Sequence, residues 1–257
     1  MKYLNLHFTF SLCLISFSVV AQTTHQTEAD LLKPFKNIFY YAEKNDQNKS
    51  GEANDQFAKK LKSYCEKVPA TLSYPFSSLV KEHLDISTSS DGQLRIYSWD
   101  TWSGGTMHFF ENVMQYKTET TVKAVLDTSQ GDGDVRPNYN KIYTFQANGK
   151  IYYLAVYLLI GSSKDLQKGI QVFSIENGTL NTDTRIIRTK SGLHSQITYD
   201  YDLSRTSEKV HSEAHFDANT QSIYIPVVLE NGKLTNNYII YKFTAQYFER
   251  VKNQNSL

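Results

Sequence analysis

The chain is poor in cysteine, in net charge and in every short motif that would assign it a reaction. Its 257 residues hold two cysteines, and 27 Lys and Arg stand against 26 Asp and Glu. It contains no Gly-x-Ser-x-Gly nucleophile elbow, no glycine-rich loop ending in Lys-Ser or Lys-Thr, and no pair of Cys-x-x-Cys motifs. Serine hydrolases of the elbow type, phosphate-binding loops and zinc ribbons therefore lose their usual markers. The near-zero charge leaves no clustered positive field to gather nucleic acid, so no nucleic-acid partner is expected.

The first residues carry the clearest functional signal. Lys2 supplies a positive start, and the mostly apolar run from Leu4 to Val20 contains no acid. Val19 and Ala21 are the small residues that signal peptidase favours before its cut. Residues 1–21 read as a cleavable export signal, with Gln22 as the first mature residue. Asn5, His7, Ser11, Ser16 and Ser18 interrupt the run, which argues against a spanning anchor. Loss of the leader removes Lys2, leaving 26 basic against 26 acidic residues, and removes Cys13. A lone Cys65 in an oxidising compartment forms no internal disulfide, so the mature chain must fold on its hydrophobic core. The expected location is periplasmic or extracellular, with no membrane span once the signal is removed.

Two periodicities follow. From Thr27 to about Lys67 the pattern is helical. "TEAD" resembles a capping box at Thr27, and Leu31, Phe35, Ile38, Phe39 and Ala42 form an apolar stripe at spacings of three and four. "NDQNKSGEAND" reads as a polar break. Ala53, Phe57, Leu61, Tyr64 and Cys65 make a second stripe, which assigns Cys65 to packing. A short helical turn is expected from Ser78 to Leu84. After "STSSDGQ", short runs of Tyr, Val, Ile, Phe and Thr alternate with turn residues. Asn-Gly stands in "ANGK", "ENGT" and "ENGK", as type I′ hairpins require. "GIQVFSIENGTL" and "SIYIPVVLENGKL" echo one another with matched Asn-Gly pairs. The expectation is a mainly β protein: a helical segment over 22–86 packs on an antiparallel β-meander over 87–257. That meander is propeller-like, or else a sandwich or barrel.

Three stretches carry candidate chemistry. In "SWDTWSGGTMHFF", Trp99, Asp100 and Trp102 flank a glycine-bearing reversal, and an exposed indole beside a carboxylate could bind a sugar or peptide. In "HSEAH", His211, Glu213 and His215 would share one face of a strand, spaced about 7 Å apart for a rise of roughly 3.3 Å per residue. Two imidazoles and a carboxylate can hold zinc, although a fourth ligand would have to come from His194, Asp127, Asp132 or Asp134. Alternation of this kind is also what any half-buried strand shows. "DTSQGDGDVRPNYN" suggests calcium by its aspartates but fails the EF-hand pattern, with Asp132 where glycine is required and Asn138 in place of the closing Glu. The favoured expectation is an exported, non-enzymatic β-rich protein without a resident cofactor, presenting loops to a glycan or an envelope protein. A secreted, metal-assisted hydrolase acting on extracellular polymer is the alternative.

Overall fold

The computed structural model describes residues 4–128, 135–207 and 210–251, with side chains from residue 24 onward. Helix α1 (Leu4–Glu43) and helix α2 (Gln47–Lys67) form an antiparallel pair, followed by a 3-10 turn, Pro69–Leu72, and the short helix α3 (Ser77–Lys81). The apolar stripes do what their spacing implies: Leu31, Phe35 and Ile38 meet Ala53, Phe57, Leu61 and Cys65 in one buried cluster. Burial pushes the Cys65 thiol up to about 12, so it stays protonated as a packing group.

Three helical expectations are corrected. Thr27 is not a cap; it lies inside α1, and the helix continues through Pro34. The polar break shrinks to the turn at Lys44–Asp46, because Asp46 accepts the Lys49 amide at 3.2 Å and starts α2 at once. Phe39 leaves the stripe and is 43% exposed. Glu28, meanwhile, is buried and accepts the Tyr74 hydroxyl at 2.9 Å and the Leu79 amide at 3.3 Å, tying α1 to the first turn of α3.

The rest of the described chain is mainly strand, with one further 3-10 turn at Leu203–Arg205. Strands β1 (Asp85–Thr88), β2 (Leu94–Asp100), β3 (Phe110–Lys117) and β4 (Val122–Asp127) form a first antiparallel sheet in sequence order. Next come β5 (Asn138–Ala147), β6 (Lys150–Ile160), β7 (Asp165–Glu176) and β8 (Thr179–Asn181), then the short pair β9 (Ile187–Thr189) and β10 (Gly192–His194), then β11 (Gln196–Asp202). The chain closes with β12 (His215–Asp217), β13 (Ser222–Val228), β14 (Leu234–Thr244) and β15 (Tyr247–Arg250). The second sheet runs β11-β7-β6-β5 with β8 beside β7, and the third runs β10-β9-β15-β14-β13-β12.

The protein is thus mainly β, with a helical segment at its N-terminal end. The boundary drawn at residue 86 falls inside β1. Two pairings depart from the meander: β11 returns to lie antiparallel beside β7, and β15 lies parallel to β9, with Phe248 opposite Ile187. Asn148-Gly149 and Asn177-Gly178 have positive φ at both residues, as type I′ turns demand. In the third Asn-Gly only Gly232 is positive, and the turn is longer, closed by Leu229 and Lys233. The echoed segments are the β7–β8 and β13–β14 hairpins, in neighbouring sheets.

The layers stack in chain order. Tyr97, Trp99 and Val113 face the helices, while Leu94, Ile96, Met114 and Tyr116 face Tyr139, Tyr153, Tyr157 and Phe173 of the second sheet. On its other side the second sheet offers Tyr152, Leu154, Val156, Ile170 and Val172 to Phe216, Ile223, Ile225 and Phe248 of the third. Hydrogen bonds stitch the first two sheets together: Ser98 Oγ accepts the Tyr139 amide at 3.0 Å, Asn112 Nδ2 donates to Pro137 O at 3.1 Å, and Asn138 Nδ2 donates to Asp85 at 2.6 Å.

Candidate functional site

Strand β2 is buried from Leu94 to Trp99 and reaches the surface only at its last residue, Asp100. Trp99 points into the helical side, 1% exposed, and donates its indole N–H to Asn54 Oδ1 at 2.8 Å. It packs edge-on against Phe57. Trp99 therefore drops out of the expected ligand platform and belongs to the core. A strand with both faces covered buries its aromatics on either side, and the sequence pattern of β2 does not distinguish that case from a half-exposed strand.

Asp100 and Trp102 lie beyond the last buried residues of β2, at the rim. Asp100 Oδ1 accepts the Trp102 amide at 2.8 Å, and Asp100 Oδ2 hydrogen-bonds His108 Nδ1. Trp102 has φ +54, a left-handed conformation that costs a non-glycine residue roughly 1–2 kcal/mol. The Asp100 carboxylate holds it there. Its ring, 37% exposed, packs against Phe39 of α1 at 4.8 Å and stands edge-on to His108 at 6.0 Å. The imidazole in turn stacks over Phe110.

The base of the reversal is closed by the Thr101 amide and hydroxyl, which both donate to Phe109 O, at 2.8 and 2.9 Å. His108 N donates to Ile160 O at 3.1 Å, anchoring the loop to the second sheet. Gly104 is required at its position, since a Cβ there would come within 2.0 Å of Met107 O. Strand β3 begins only at Phe110, after the reversal. What results is an aromatic ring with a carboxylate–imidazole pair at its foot, fixed in place before any ligand arrives. The sequence pattern assigns Phe39 to the apolar stripe of α1 and does not mark His108. The only local hint was an acid and a histidine eight residues apart across a Gly-Gly reversal.

The other candidates are placed differently. His211, Glu213 and His215 do alternate outward, with Ser212 and Ala214 buried between them, but the strand starts only at His215. Glu213 is paired with Lys168 at 2.8 Å, and His215 lies flat on Tyr224, ring centroids 4.7 Å apart, with its Nδ1 3.0 Å from Glu213 O. His194 is 2.9 Å from the Ser191 hydroxyl, and Asp127 is paired with Arg136 at 2.9 Å. Asp132 and Asp134 lie outside the described residues. Among the described residues, no group of three or more His, Cys, Asp or Glu is arranged to hold a metal ion.

Comparison of the chain with protein-family models, with curated proteins and with solved structures returns no match.

Next to the rim, on the helical side, Glu111 stands opposite Trp99 in the β2–β3 register. Burial pushes its carboxyl above the usual range; a hydrogen bond from Asn54 opposes this, while Asp55 and Asp127 add to it. Its Oε2 has no hydrogen-bond partner among the described residues. An acid whose folded pKa is raised loses stability as pH rises from its ordinary value, about 4.3, through the folded one. Glu111→Gln, which keeps a polar group but removes the charge, should add about 1 kcal/mol at pH 7 and nothing near pH 4. Urea unfolding at both pH values checks this; equal stability of the two proteins at pH 7 would refute it.

Proposed function

We propose that this chain is an exported, non-enzymatic glycan-binding protein whose rim at Trp102, Asp100 and His108 stacks on and orients a sugar ring. The observation that carries the reading is the strained, pinned indole. A bulky residue held at positive φ by a dedicated carboxylate marks a place where backbone energy has been spent to fix a side chain. An aromatic face suits the apolar face of a pyranose, and the neighbouring carboxylate and imidazole can exchange hydrogen bonds with its hydroxyls. Fixing the ring beforehand lowers the ordering cost of binding. Export follows from the leader, and it places the protein where extracellular or envelope polysaccharide is available. No helix among the described residues is long and apolar enough to cross a membrane.

The hydrolase alternative needs His211, Glu213 and His215 to turn toward a common metal. Glu213 is engaged by Lys168 and His215 by Tyr224, so the glycan reading is preferred.

Titration of neutral and N-acetylated oligosaccharides into the purified protein tests the platform. Wild type should bind at least one class, and Trp102→Ala should weaken that binding by about 2 kcal/mol, near thirtyfold, with thermal stability nearly unchanged. Equal binding by the variant, or capture of an envelope protein with no sugar bound, would overturn the reading. For export, Edman sequencing of protein recovered outside the cytoplasm should begin at Gln22; an intact Met1 would count against it.

A further inference from the structure

The rim loop that carries Trp102 is also one wall of a cavity, and that cavity has its own chemistry. It measures about 440 Å3, within the range of about 300–1,000 Å3 usual for small-ligand sites. Leu159 and Ile160 at the end of β6, Leu166 in β7 and Met107 of the rim loop give it mostly apolar walls. Continuity with the platform is direct, because Met107 precedes His108 and the His108 amide donates to Ile160 O. Leu203 and Leu229, 50% and 48% exposed, sit beside cavity residues: Leu203 follows Asp202, and Leu229 belongs to the turn closed by Gly232.

The polar groups of this cavity are chiefly carboxylates. Asp165, Asp200 and Asp202 line it, and Asp165 stands directly opposite Asp202 in the β7–β11 register. Two acids facing each other across a strand pair repel. Asp202 is relieved by Arg205 at 3.0 Å and by the Ser204 amide at 2.8 Å. Among the described residues the Asp165 carboxylate accepts the Ser162 hydroxyl alone, at 2.7 Å, and that of Asp200 the Gln167 amide, also at 2.7 Å. Neither of these two is in an ion pair among the described residues. A bare divalent cation does not suit the place, since it would need six or more converging oxygens and the carboxylates do not converge on a common point. Apolar walls with unneutralised acids instead fit a cation carried on an organic ring.

We infer that the cavity is a second subsite beside the platform and receives the ammonium group of an amino sugar, so that the preferred ligand is a glycan with free amines. This rests on the glycan reading above and names its substrate class. Trp102 stacks one sugar, and the adjoining unit places its ammonium between Asp165 and Asp200.

The test is calorimetric titration of the mature protein at low salt with three probes: the glucosamine tetramer, the N-acetylglucosamine tetramer and a neutral glucose tetramer. Wild type should bind the glucosamine tetramer about tenfold more tightly than the acetylated one, and added salt should erode that preference. Asp165→Asn with Asp200→Asn should abolish the preference, bringing the affinity for the glucosamine tetramer down to that for the acetylated one. Equal affinity for the charged and acetylated probes in wild type, or a preference that survives the double variant, overturns the cavity assignment. In that event the platform reading still stands if Trp102→Ala loses whatever sugar is bound. No binding of any probe overturns both.

Discussion

The structure depends on a single constraint: the two central strands of the first sheet, β2 and β3, are buried on both faces. Six consecutive residues of β2, Leu94 to Trp99, are buried, which requires the helices on one side and the second sheet on the other. Burial on that scale includes polar groups, and most of these are paired where they lie, Arg95 Nε and Glu111 Oε2 being exceptions among the described residues. The Tyr97 hydroxyl reaches Thr71 O at 2.8 Å and Gln115 Oε1 at 2.9 Å, and Gln115 Nε2 reaches Thr71 Oγ1 and Cys65 O, both at 2.8 Å. Arg95 donates to Thr71 O at 3.1 Å and lies near the rings of Phe76 and Tyr97. Burial pulls its pKa down, yet the aromatic rings and the carbonyl keep the charge tolerable. The turn at Thr71 is therefore the joint between helices and sheet. Losing it would leave several buried donors unpaired at once.

The rim is a consequence of this frame. Because β2 and β3 cannot shift without exposing core on two sides, the reversal between them is held at both ends, and strain at Trp102 can be sustained. The same reasoning accounts for the cavity. At the end of the second sheet its terminal residues are flanked by Met107 of the rim loop, by Val135 and by the turn at Gly232. Rigid layers end in a hollow, and the loops above it can vary without cost to the core.

Much of the framework was legible in the sequence, and the reasons differ from element to element. The stripes of α1 and α2 and the two type I′ turns are local, so spacing alone reveals them. The alternation of β2 correctly sorts Leu94, Ile96 and Ser98 from Arg95, Tyr97 and Trp99. It does not say that both sets are buried, because that depends on what packs above and below. Trp99 was misplaced on the rim for this reason. Thr27 failed as a cap because the residues before it are themselves helical, and capping signals have no force in mid-helix. The sequence does not mark His108, because its partner Asp100 comes from across a reversal, and it places Phe39 in the stripe although Phe39 turns out to meet Trp102 of another layer. Alternation in "HSEAH" holds, but alternation does not bring ligands together, and the side chains found other neighbours.

Native-state hydrogen exchange tests the double burial most directly. If helices, first sheet and second sheet are one cooperative unit, the amides of Leu94 to Trp99 and those of α2 exchange with a single, global opening free energy, while residues 101–109 exchange faster. Release of α2 at a lower free energy than β2 would mean that the helices are a detachable cover, and would contradict the account.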